Sequence, residues 1–148
     1  MTMEFLKLQA MDEDDLAVLS TYLQDAVFKL GDMDWNAGAQ AFLMLGNRFV
    51  WEKAGSEADK PKHFERRRTL LQVSRVRKVR SIGLDRSQKD QVASLLALRF
   101  TPEDAPSGLL TLFFSGGGEI QLNVECLELQ LQDTGSAWST DRLPLHAD

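Results

Sequence analysis

Between residues 60 and 89 of this 148-residue chain stand eleven basic side chains, among them Arg66, Arg67, Arg68, Arg75, Arg77, Lys78 and Arg80, against two acids, Glu65 and Asp85. That segment carries +9 and the rest of the chain −14, which together give the net charge of −5. Guanidinium groups at such density either neutralise the carboxylates or phosphates of a partner or guard an exposed strand edge against aggregation. A second group, Asn47, Arg48 and Trp51, closes an apolar run. If that run is a strand, Asn47 and Trp51 share a face with Leu43, Leu45 and Phe49, while Arg48 shares the other with Phe42, Met44 and Val50. A polar side chain among large apolar neighbours needs partners, so Arg48 and Asn47 buttress either a buried network or a pocket, and the structural role is the simpler one. Asn47, Arg48, Trp51, Arg66, Arg67, Arg68, Arg75 and Arg77 are therefore the binding candidates, and no catalytic residue is assigned.

Other chemistry finds little support. Asp32 and Asp34 are two apart and point the same way along a strand, which suits acid–base work or a weak divalent cation, but a solvated strand face explains them more simply. Only two histidines, His63 and His146, are present, and neither has a ligand at helical spacing, so no metal site or cofactor is expected. Cys126 is the single cysteine; it excludes an intramolecular disulfide and, in an amphipathic stretch, packs as a small hydrophobe. Ser115 precedes Gly116-Gly117-Gly118, yet strands flank it on both sides, which suits a tight turn and not a nucleophile elbow or a phosphate loop. Nucleic acid is disfavoured: the chain is acidic overall, the basic segment holds one aromatic residue, Phe64, and no nucleic-acid-binding signature accompanies it.

Elements that must position these residues can be read from periodicity. Residues 5–8 alternate as a short strand. Asp12 and the acids after it suit a helix N-terminus, and Leu16, Leu19, Leu23 and Ala26 recur at spacings of three and four, so a helix is expected over residues 12–24. Residues 26–35 and 41–51 read as a hairpin closed at Asn36-Ala37-Gly38-Ala39, followed by an exposed loop over 52–65. Val73, Val76, Val79 and Ile82 repeat every three residues, which predicts a strand broken by a bulge or sharp bend near Arg75. Residues 92–100 form another strand, and 109–115 with 119–125 a hairpin whose return strand has one solvated face. Over 126–133 the absence of β-branched residues, the Leu, Glu and Gln content and Gly135 as a C-cap predict a short helix, although Leu127, Leu129 and Leu131 also alternate as a strand would. Trp138 is the one large anchor of the tail.

Several of these residues are familiar together. Asp25-Ala26-Val27, Asn47-Arg48-Phe49 with Trp51-Glu52, residues 95–100, and Gly116 through Cys126 with Ala137-Trp138 resemble the family known as domain of unknown function 2948, over nearly the whole chain. The resemblance implies a cytoplasmic bacterial protein, mainly alphaproteobacterial, and transfers no activity and no catalytic residue.

The expected architecture is one α+β domain over residues 1–148. It has a mainly antiparallel, strongly bent sheet or partly closed barrel, with an N-terminal helix and a short C-terminal helix. Pleckstrin-homology-like barrels, capped by a C-terminal helix, offer a fold analogy that carries no function. The start shows no secretory signal and no apolar run approaches the roughly 18 residues of a membrane span, so a cytoplasmic protein with no membrane partner is expected. The expected function is a non-enzymatic interaction or regulatory module whose basic segment meets an acidic protein partner or a second copy of the chain. The alternatives are a small-ligand or anion-binding domain using Arg48 and Arg66–Arg68, and an enzyme using carboxylate chemistry at Asp32 and Asp34.

Overall fold

The computed structural model describes residues 6–50, 64–135 and 138–140. After β1 (Lys7–Ala10) comes the one α-helix among these residues, α1 (Glu13–Leu23). Asp12 adopts an extended conformation, and its Oδ1 accepts the Asp15 N–H at 2.8 Å. Asp15 in turn accepts the Met11 N–H at 3.3 Å. The acids of the first turn thus satisfy backbone donors that have no helical partner and sit at the positive end of the helix dipole. Leu16, Leu19 and Leu23 form the buried stripe.

The strands that follow are β2 (Val27–Asn36), β3 (Ala41–Phe49), β4 (Phe64–Val73), β5 (Val76–Ile82), β6 (Val92–Pro102), β7 (Gly108–Phe114), β8 (Glu119–Val124), β9 (Leu129–Asp133) and β10 (Trp138–Thr140). Every pairing is antiparallel, and the order is β1-β9-β4-β3-β2-β6-β7-β8-β5, with β10 continuing beside β4. The sheet does not close: β1 and β5 are its two ends. One apolar cluster unites Phe28, Phe42, Met44 and Leu71 from one half of this order with Leu110, Leu112, Phe114 and Leu122 from the other. Helix α1 packs against β1, β3 and β6 and adds its leucine stripe to that cluster. Burying each such side chain contributes about 1.5–3 kcal/mol, which sets the inward phase of every strand.

The break expected near Arg75 is a corner. Ser74 and Arg75 separate β4 from β5, Arg75 has φ 61°, and the chain passes there between strands far apart in the sheet order. The Ser74 N–H donates to the Glu128 carbonyl at 2.9 Å and the Arg75 carbonyl accepts the Glu125 N–H at 3.0 Å, so the corner is pinned to the segment joining β8 and β9.

The mainly antiparallel sheet is as expected, but of the two forms expected for it the partly closed barrel is not found, because the sheet is open. The segment read as a short C-terminal helix is corrected: residues 129–133 of it are β9, held between β1 and β4. Leu129, Leu131 and Asp133 are buried while Gln130 and Gln132 are not, the period of a strand. Helix propensity differs among these residues by only tenths of a kcal/mol, so ladder bonds from two neighbouring strands decide the outcome. The pleckstrin-homology-like analogy loses its capping helix among the described residues, and Trp138, the expected anchor of the tail, opens β10.

Candidate functional site

Register determines which of the polar candidates meet. Arg48 lies opposite Arg67 in the β3–β4 pair, and Thr69 lies opposite Asp133 in the β4–β9 pair. Directly opposed residues share a face, so all four point toward the core side of adjacent strands. Arg48, Arg67 and Asp133 are 0, 3 and 4 % exposed. The Arg48 guanidinium meets Asp133 in a two-pronged contact, Nε to Oδ1 and Nη2 to Oδ2, both at 2.9 Å. Arg67 Nη1 stands 3.7 Å from the same Oδ2, which also accepts the Leu6 N–H at 2.8 Å. Arg48 donates further to the Phe49 carbonyl at 3.2 Å and lies 5.7 Å from the Tyr22 ring centre. Burial alone pushes the Asp133 carboxyl up; the Arg48 hydrogen bonds, the Leu6 amide and the Arg48 charge outweigh it and hold the group below the usual carboxylate value.

Arg66 and Arg68 point the other way. Arg66 is opposite Phe49, and its guanidinium carbon lies 4.0 Å from that ring's centre. Its Nε and Nη1 are buried without a hydrogen-bond partner among the described residues, and burial lowers its pKa by disfavouring the charge. Arg68 is exposed and sits opposite Asn47, which is also opposite Val27 on its other side. The chain beyond β9 fixes the Arg68 backbone: its carbonyl accepts the Thr134 N–H at 2.7 Å, and a Cβ on Gly135 would stand 2.8 Å from the Arg68 Cβ. Gly135, expected as a helix cap, instead permits this close approach.

Next to this row the β2–β3 ladder is interrupted. Pairing jumps from Phe28–Gly46 to Met33–Met44, so residues 29–32 face Leu45 alone. The displaced segment bonds elsewhere: the Leu30 N–H donates to the Gln91 carbonyl and the Gly31 N–H to the Lys89 carbonyl, both at 2.9 Å. The result is a cleft of about 440 Å³ whose polar lining includes Lys29, Asp32, Asn47, Arg68, Lys89 and Asp90.

Of the other candidates, Arg75 stands at the corner before β5 and Arg77 on β5 itself, at the end of the sheet. Arg75 is 3.9 Å from Glu125 and 3.4 Å from Glu128, and Arg77 is 3.5 Å from Glu125; both arginines are more than half exposed. Lys78 and Arg80 are exposed and form no ion pair among the described residues.

The basic segment is therefore not one surface: Arg67 turns inward beside Arg48, Arg66 packs on Phe49, Arg68 borders the cleft and Arg75 with Arg77 occupies an edge. Trp51, His63 and His146 lie outside the described residues, as does most of the loop expected at 52–65. Asp32 borders the cleft and Asp34 does not. Sequence reasoning missed Asp133, 85 residues from Arg48, although an acid on the inward phase of Leu127, Leu129 and Leu131 was a usable signal. It also missed Lys29, Lys89 and Asp90, for which only the interrupted register supplies a reason. Cys126 is half-buried and free. Among the described residues no cluster could hold a metal ion, and no helix is long and apolar enough to cross a membrane.

Residues 6–146 match the family model described as Protein of unknown function (DUF2948). No curated protein and no solved structure matches the chain.

Proposed function

The chain belongs to that family, and from this premise we propose that it is a non-enzymatic interaction module that takes an acidic, extended partner segment along the free side of β5. What carries the proposal is the position of β5: among the described residues it is the last strand of the sheet and pairs only with β8, and Arg77, Lys78 and Arg80 stand exposed along it. An unpaired strand side offers main-chain hydrogen bonds to an added strand, and flanking charges choose the partner. A second copy docking β5 against β5 would set cations opposite cations, which is unfavourable, so an acidic segment of another protein is the better occupant. The single cysteine suits a reducing cytoplasm.

Fluorescence anisotropy with a labelled peptide of alternating glutamate and valine tests this. Saturable binding at low salt is expected, weakening as salt screens the exposed charges, and the double variant Lys78→Glu with Arg80→Glu should lose it. Undiminished binding by the double variant, or no binding at low salt, overturns the proposal.

A further inference from the structure

We propose that the cleft beside the β2 interruption binds a small zwitterion, a molecule bearing a carboxylate or phosphate together with an ammonium group. Five charged side chains line it, Lys29, Arg68 and Lys89 against Asp32 and Asp90. None of the five forms an ion pair with any residue among those described. The ion pairs seen among the described residues lie elsewhere: Arg48 and Arg67 share Asp133, and Arg75 and Arg77 meet glutamates at the sheet edge. Opposite charges that line one concavity without meeting each other leave both signs available to a ligand.

A plain anion would answer the three cations but leave Asp32 and Asp90 unmet; a plain cation would leave Lys29, Lys89 and Arg68 unmet. A molecule with both groups answers all five.

The walls are held in place by close backbone approach. A Cβ on Gly46 would fall 2.3 Å from the Val27 carbonyl oxygen, and one on Gly31 would fall 2.9 Å from both the Cβ and the carbonyl oxygen of Lys89. Glycine at these two positions lets β2 seat on β3 at one rim and on the 89–91 segment at the other. Val27, Leu45 and Val92 supply apolar floor between the charges, and about 440 Å³ lies within the 300–1,000 Å³ range of small-molecule sites.

Calorimetric titration of the full chain tests the site with O-phosphoethanolamine and γ-aminobutyrate as zwitterionic probes, and inorganic phosphate, acetate and ethylamine as half-probes. At least one zwitterion should bind saturably and about tenfold or more tightly than its half-probes, a difference of about 1.4 kcal/mol. Tighter binding by the first probe assigns a phosphate and by the second a carboxylate. Arg68→Ala and Asp32→Asn should each weaken binding at least about tenfold, whereas Arg80→Glu, on β5, should leave it unchanged. Arg68 and Asp32 are exposed, so both variants should fold, which thermal melts verify. The proposal is overturned if no zwitterion saturates the protein below about 10 mM, if the half-probes bind as tightly, or if neither variant weakens binding.

Discussion

Arg67 and Arg77 come from one basic run, and each faces a carboxylate at a similar distance, 3.7 Å to Asp133 and 3.5 Å to Glu125. Arg67 shares its acid with Arg48 in a buried network, where the desolvation cost of each charge is offset only by complete pairing. Arg77 stands in water, where the same contact is screened and contributes about 0–1 kcal/mol. One residue type at one spacing thus serves two purposes, and burial, not proximity to an acid, separates them. A charge run read from sequence is accordingly not a surface until each side chain has been assigned a face.

The sharpest way to break this contrast is to remove the shared acid. Asp133→Ala takes from the buried Arg48 and Arg67 the carboxylate they share, and should cost about 3–5 kcal/mol in urea denaturation. A loss below about 1 kcal/mol would show that the inner and outer pairs do not differ. Next in size is the double replacement Arg48→Met with Asp133→Leu, which exchanges the two-pronged pair for apolar volume. It should recover part of the loss, since Arg67 still loses its share of Asp133, with a coupling of more than about 1 kcal/mol in a double-mutant cycle, because removing one partner of a buried pair costs more than removing both.

Acid should sharpen the same distinction. The folded Asp133 carboxyl is held below its ordinary value, and an unfolded aspartate titrates near about 3.9. Its contribution is therefore complete above about pH 5 and is lost as pH falls through the lower folded value. Chemical denaturation of the wild type and Asp133→Asn across that range should show the gap between them narrowing toward acid; a gap independent of pH would contradict the assignment. The smallest effect belongs to the edge. Glu125→Gln with Glu128→Gln, which removes the partners of Arg75 and Arg77, should change stability by no more than about 1 kcal/mol, and about 1 M salt should abolish the difference.

Much of the local structure was legible from the residues themselves. The Asp12 cap and the leucine spacing define α1 because both interactions close within one turn. The hairpin around Gly116 and Gly117 is equally local, since both adopt positive φ. The break at Arg75 showed as a change of phase, and alternation alone placed Arg48 on the face of Phe42, Met44 and Val50. Those features depend on neighbours a few positions apart, where propensity and periodicity act.

Other features have partners far along the chain. Residues 129–133 become a strand because β1 and β4 supply their hydrogen bonds, and no local preference of Leu or Gln competes with that. Arg48 finds its acid in that same strand, and Leu6 locks it from the other side. The cleft exists because residues 29–32 exchange β3 for the 89–91 segment, a choice written in neither stretch alone. Local patterning sets which side chains share a face and where the chain bends; the assembled fold sets which of them meet, because pairing buried charges and backbone groups is a property of strands brought together from distant parts of the chain.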